Sequence, residues 1–202
     1  MIGIIDYGMG NLGSVFKAFD KVGLNPQIIN TKDQIKTSDA LCLPGVGAFK
    51  DAMDNLKNLD IIDDIIAFIK SGKPFIGICL GYQLLFEKSY EFGEHEGLSI
   101  FKGDVRLFPV GVKVPHIGWN QLWIKKDDGV FKGVENGAFV YFVHSYYVNP
   151  QDKDIISTYT DYSVDFASSI EYENVVGLQF HPEKSQEVGL KILSNFKEKY
   201  KL

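Results

Sequence analysis

The stretch Phe75-Ile76-Gly77-Ile78-Cys79-Leu80-Gly81-Tyr82-Gln83-Leu84-Leu85-Phe86 constrains the fold of this chain more than any other. It reads as a short buried strand, a sharp turn and a helix that begins at once. Gly77 and Gly81 stand two residues either side of Cys79, so strand and helix can approach closely enough for a strained turn. Such a turn lifts the sulfur out of the sheet. It also sets Cys79 at a helix N-terminus, where the backbone dipoles favour thiolate over thiol. The N–H of Leu80 then points toward whatever the sulfur attacks, as half of an oxyanion hole.

A cysteine nucleophile needs a base, and the base needs an orienting group. The run Val175-Val176-Gly177-Leu178-Gln179-Phe180-His181-Pro182-Glu183 supplies both. An apolar strand leads into His181, and Pro182 turns the chain. Glu183, two residues on, can hold one imidazole nitrogen and leave the other for Cys79.

The rest of the first half alternates strand and helix. Ile2–Asp6 reads as a buried parallel strand and Leu12–Val22 as a helix with Val15, Phe16, Phe19 and Val22 on one face. Between them, Gly8-Met9-Gly10-Asn11-Leu12-Gly13 has the form G-x-G-x-x-G. A dinucleotide site also wants an acidic residue about 20 positions on, at the end of the second strand. The strand at Gln27–Asn30 ends in Asn-Thr, so these glycines read as a turn.

Ala40–Leu43 is a further strand, with Cys42 as core between leucines. It enters Pro44-Gly45-Val46-Gly47-Ala48-Phe49, which suits an ordinary loop and an oxyanion donor equally well. Asp60–Ser71 has the apolar spacing of a core helix. This order implies a parallel sheet with right-handed crossovers, whose sites lie at the C-terminal strand ends. From Glu87 to Gly97 the chain is polar and His95 reads as solvated. Leu98–Glu171 reads as short strands added antiparallel to the sheet, and Glu187–Tyr200 as an amphipathic helix. Trp119 suggests an interface if exposed and core if buried. His144 on its own reads as a core histidine.

Composition removes several classes. At 202 residues the chain is long enough for one large α/β domain spanning 1–202. A net charge of −5 without a basic stripe argues against a nucleic-acid binder. Two cysteines make no disulfide framework, so an intracellular, cytoplasmic setting is expected. No apolar run approaches the ~18 residues of a membrane span, and no basic region precedes Asp6 as in a signal peptide. His181 and Glu183 lack a third ligand at sensible spacing, so no metal or cofactor is expected.

Cys79 in G-I-C-L-G-Y-Q-L-L, the loop P-G-V-G-A-F and the late F-H-P-E together resemble the class I (triad) glutamine amidotransferases. The segments D-Y-G-M-G-N-L, V-P-H-I-G-W-N, Y-F-V-H-S-Y and Q-F-H-P-E-K-S are similar to the glutaminase subunits of imidazole glycerol phosphate synthases, from Ile4 to the C-terminal helix. The resemblance implies a three-layer, flavodoxin-like α/β fold, mostly parallel with antiparallel additions. It implies a triad of Cys79, His181 and Glu183 that hydrolyses glutamine through a γ-glutamyl thioester. Oxyanion donors would come from Leu80 and, after a peptide flip within Gly45-Val46-Gly47, from Val46. Glutamine would sit near Gly47, Gln83 and the backbone of His144, Ser145 and Tyr146. Ammonia would pass to a (β/α)8-barrel cyclase subunit in a heterodimer, faced by Asn11, Trp119, Tyr141 and Lys184. Tyr82 and Gly13 depart from the family, where many members have methionine and arginine. Three alternatives accompany this reading: a paralogue serving surface-sugar amidination, a stand-alone cysteine amidohydrolase, and a non-catalytic relative.

Overall fold

The computed structural model describes all 202 residues, Met1–Leu202. Its first part alternates β1 (Ile2–Ile5), α1 (Leu12–Lys21), β2 (Pro26–Ile29), α2 (Lys32–Thr37), β3 (Ala40–Gly45), α3 (Phe49–Asn58), α4 (Ile62–Lys70), β4 (Phe75–Cys79) and α5 (Leu80–Gln83). Short strands follow: β5 (Phe86–Ser89), β6 (His95–Glu96), β7 (Phe101–Leu107), β8 (His116–Gln121) and β9 (Trp123–Ile124). The chain ends with β10 (Phe139–His144), β11 (Tyr146–Pro150), β12 (Ile156–Asp161), β13 (Asp165–Tyr172), β14 (Val175–Leu178) and α6 (Gln186–Tyr200).

The main sheet has the order β2-β1-β3-β4-β14-β13-β12-β9. The first five strands are parallel, in flavodoxin-like order, and the last three are antiparallel. Side chains alternate across it with the strand period of two. Ile4, Cys42, Ile76, Ile78, Val176 and Leu178 pack with Val15 and Phe19 of α1 and Ile192, Leu193 and Phe196 of α6. Ile5, Leu41, Leu43, Phe75 and Val175 pack on the other face with residues of α2, α3 and α4. Both faces of the parallel strands are thus covered, which is why those strands read as unbroken apolar runs.

The expectation that all the short strands extend this sheet needs correction. Only β9, β12 and β13 do so. β8 pairs with β10 in a separate ribbon, and β11-β7-β5-β6 form a third sheet in which β5 and β7 run parallel. These strands are too short and too irregular in pattern for the sequence to say which neighbour each one pairs with. His95 is also not simply solvated: it is half-buried and its Nε2 is shielded without a partner.

Glycines set the close approach that forms the central turn. A Cβ on Gly81 would collide with the Leu43 carbonyl, and one on Gly77 would come within 2.8 Å of the Gly81 carbonyl oxygen. Gly77 lies opposite Gly177 across β4 and β14, and a Cβ on Gly177 would strike the Tyr82 ring. Tyr82 is therefore accommodated by a glycine rather than by displacement. It is fully buried, edge-on to Phe86 at 5.7 Å, with its hydroxyl donating to the Ala167 carbonyl at 3.3 Å. Gly81→Ala is expected to lower stability by about 3 kcal/mol, the upper range for overpacking, because the obstruction is backbone. Denaturant titration beside the wild type measures it.

Candidate active site

β4 and β14 are adjacent and parallel, with Ile78 opposite Leu178, so the residues just beyond their C-terminal ends emerge side by side. Cys79 ends β4 with φ +54° and ψ −109°, a left-handed backbone that costs a non-glycine residue strain. The constriction by Gly77 and Gly81 holds it there. The helix behind it differs from a full-length one: α5 is a single turn of four residues.

His181 stands three residues past β14, and Pro182 opens the 3₁₀ turn Pro182–Lys184. The His181 N–H donates to the Tyr141 carbonyl at 2.9 Å. Ser185 Oγ donates to the His181 carbonyl at 2.6 Å and accepts from the Tyr141 N–H at 3.0 Å. The turn is thereby pinned to β10. His181 Nδ1 lies 2.7 Å from Glu183 Oε1, both side chains being buried. Nδ1 carries the proton in that pair, and the buried Nε2 has no hydrogen-bond partner. Burial by itself would disfavour the imidazolium. The Cys79 sulfur and the Glu183 carboxylate outweigh it, and the His181 pKa is raised to about 10.

A cavity of about 240 Å³ opens over Cys79. Val46, Gly47, Leu80, Gln83, His144, Ser145 and Tyr146 line it. The N–H groups of Val46 and Gly47 form no hydrogen bond within the protein, and Gly47 has φ +108°. Gly45 lies beneath, opposite Cys79 in the β3–β4 register, with no room for a Cβ beside Tyr7. The G-x-G-x-x-G loop packs against this segment: the Tyr7 hydroxyl donates to the Pro44 carbonyl at 2.8 Å, and Gly10 abuts Gly45. Asn11 accepts the Ser14 N–H as the N-cap of α1.

Trp119, Tyr141 and Lys184 form one cluster outside. Trp119 lies opposite Tyr141 across β8 and β10, their rings 6.1 Å apart and edge-on. Lys184 Nζ is 5.6 Å from the Tyr141 ring centroid. Trp119 is 46% exposed, which decides its reading in favour of a surface role, and Ile117 beside it is exposed as well. Asn11 is exposed but spends its side chain on the α1 cap.

Two residues that sequence reasoning missed belong here. Glu91 lines the cavity and caps α3, accepting the Phe49 N–H at 2.6 Å. It lies in a polar run with no periodicity to mark it. Gln179 Nε2 lies 3.9 Å from Cys79 Sγ, and its only signal was its place before F-H-P-E. No three His, Cys, Asp or Glu side chains converge to hold a metal ion.

The other buried histidines have the opposite electrostatics. Burial lowers His116 from 6.5 to about 4 and His144 from 6.5 to about 3. Below pH 6.5 the unfolded chain binds protons at these two positions that the folded chain refuses, so stability falls as pH drops from 6.5 toward 4. His181 has the reverse sign: its contribution is whole below 6.5 and is lost as pH rises through about 10. His116→Phe is therefore expected to show a shallower loss of Tm than the wild type between neutral pH and about pH 4.5. Thermal melts across that range check it.

The family model for glutamine amidotransferase class-I matches residues 3–199. The chain is 60% identical over 198 residues to the imidazole glycerol phosphate synthase subunit HisH of Aquifex aeolicus, covering 97% of this chain and 95% of the relative. It is 56% identical over 201 residues to the same-named subunit of Caldanaerobacter subterraneus, covering 100% and 99%. A chain of the PurLQS structure from Thermotoga maritima superposes with a TM-score of 0.78 at 20% identity, covering 98% of this chain and 97% of the other, a likeness of fold. This chain belongs to the glutamine amidotransferase class-I family and stands within it beside the HisH subunits that it resembles.

Proposed function

We propose that the chain is the glutaminase subunit of an imidazole glycerol phosphate synthase, working as a single domain in the cytoplasm with a (β/α)8-barrel cyclase as partner. The observation that carries the chemistry is the strained Cys79 at the cavity floor, beside a buried His181 whose second nitrogen is held by Glu183. The relatives' common name supports the pathway and the partner.

Glutamine enters with its side-chain amide over Cys79. Glu91 is the one carboxylate lining the cavity and suits the α-ammonium. The Cys79 proton resides on His181 Nε2, the sulfur attacks the amide carbon, and the resulting oxyanion is received by the Leu80 N–H and a N–H of the Val46–Gly47 segment. His181 Nε2 gives its proton to the departing nitrogen as the C–N bond breaks, leaving a thioester and ammonia. His181 then takes a proton from water, hydroxide displaces the sulfur, and glutamate leaves. Glu183 keeps the imidazole oriented through both steps.

The unpaired Val46 and Gly47 amides and the positive φ of Gly47 support a loop that can turn an N–H inward at low cost. The Trp119–Tyr141–Lys184 cluster, beside exposed Ile117, suits the face through which ammonia leaves to the cyclase. Cys79→Ala is expected to abolish glutamine hydrolysis by the complex while ammonia-dependent synthesis continues. Glutamate release and product formation, measured with glutamine and then with an ammonium salt, decide it; loss of both would make the cysteine structural.

A further inference from the structure

The side chains between strand β8 and the nucleophile form one continuous hydrogen-bonded ladder whose polarity is set at every rung. Asn120 Nδ2 donates to the Asp161 carbonyl at 2.9 Å and lies 3.3 Å from His116 Nε2. That ring nitrogen must accept, so the His116 proton sits on Nδ1, which is 3.0 Å from His144 Nε2. His144 Nδ1 is 2.8 Å from the Tyr146 carbonyl, which only accepts, so the His144 proton sits there and Nε2 is bare. The same carbonyl accepts from Gln83 Nε2 at 2.9 Å. The second Gln83 amide hydrogen goes to Gln179 Oε1 at 3.1 Å. This fixes the Gln179 amide with its Nε2 toward Cys79 Sγ at 3.9 Å.

Each hydrogen is used once and each acceptor stays within its lone-pair capacity. Flipping any rung would face donor to donor or strand a buried polar group. Gln83, His116, His144 and Gln179 are all buried. The His116 ring is held flat between Phe142, at 4.9 Å and 20°, and Tyr162, at 3.9 Å and 19°. Burial keeps both imidazoles neutral at ordinary pH, as one proton per ring requires.

We propose that this ladder positions the nucleophile: it presents the Gln179 N–H to the Cys79 sulfur and holds the Tyr146 wall of the cavity at fixed register against it. The bond to sulfur is long for a thiol and strengthens when the sulfur is charged, because charge-assisted bonds in low-dielectric surroundings are the strong ones. Gln179 touches the reacting atom. His116 and His144 act through it and are positioning residues. β8 also carries Trp119, so the ladder joins the exposed aromatic cluster to the sulfur. The proposal rests on Cys79 being the nucleophile.

The test is the rate of Cys79 alkylation by iodoacetamide at neutral pH in the full chain, which needs neither glutamine nor a partner. Mass spectrometry separates it from Cys42, which is fully buried. Gln179→Met keeps the volume and removes the donor; it is expected to slow alkylation by about fivefold or more. His116→Phe keeps the ring stack and removes the rung; it is expected to slow alkylation and raise KM for glutamine. His116→Asn, whose amide nitrogen sits where Nδ1 was, is expected to recover the rate to within about twofold. Wild-type rates in folded Gln179→Met and His116→Phe would overturn the proposal. A Cys79 no more reactive than a free thiol in the wild type would instead sink the nucleophile reading. Ring-nitrogen NMR of the wild type tests the ladder without any variant. The chain has four histidines, and His116 and His144 are expected as neutral Nδ1–H tautomers. A proton on Nε2 of either ring would overturn it.

Discussion

The parallel pairing of β4 with β14, Gly77 opposite Gly177, is the constraint on which the rest of the site depends. Parallel neighbours end at the same edge of a sheet, so a cysteine closing one strand and a histidine just past the other are brought together although about half the chain separates them. The pairing also brings two glycines face to face, and their missing side chains leave the space that Tyr82 fills. Gly81, pressed on the Leu43 carbonyl, then holds α5 against β3. With strand, turn and helix wedged in this way, Cys79 has no relaxed backbone conformation available.

The electrostatics divide the three buried histidines by surroundings. His181 is buried beside a carboxylate and a sulfur, which together favour its charged form. His116 and His144 are buried among aromatic rings and each other, with no carboxylate in contact, so their neutral forms prevail. One imidazole is therefore held in its charged form while the neighbouring two are held neutral. The division arises from which strand end carries a glutamate two residues on, and from the ring packing of Phe142, Tyr162 and Phe166 around the other pair.

The C-terminal edge of the parallel strands differs from the sheet beneath it. At the edge where the parallel strands finish, the Val46 and Gly47 amides have no hydrogen-bond partner within the protein, whereas the His181 turn beside them is pinned to β10. Beneath them the sheet is covered on both faces and carries its hydrogen bonds in the ladder.

The strand–turn–helix around Cys79, the His181–Glu183 spacing and the alternation of β1 to β4 with helices were all legible in the chain, because they depend on neighbours within a few residues and on a period of two or 3.6. The exposure of Trp119 was not, since burial depends on what packs above a strand. Neither was the pairing of β8 with β10 or of β5 with β7, because short strands of mixed polarity do not specify a partner. Glu91 and Gln179 were invisible as members of the site for the same reason: their side chains reach Cys79's surroundings only after distant segments have packed. Local covalent geometry and side-chain periodicity determined the Cys79 turn and the layered sheet. Tertiary packing alone decided which polar groups distant in the chain meet, because hydrogen bonds between residues far apart in the chain leave no pattern in either segment by itself.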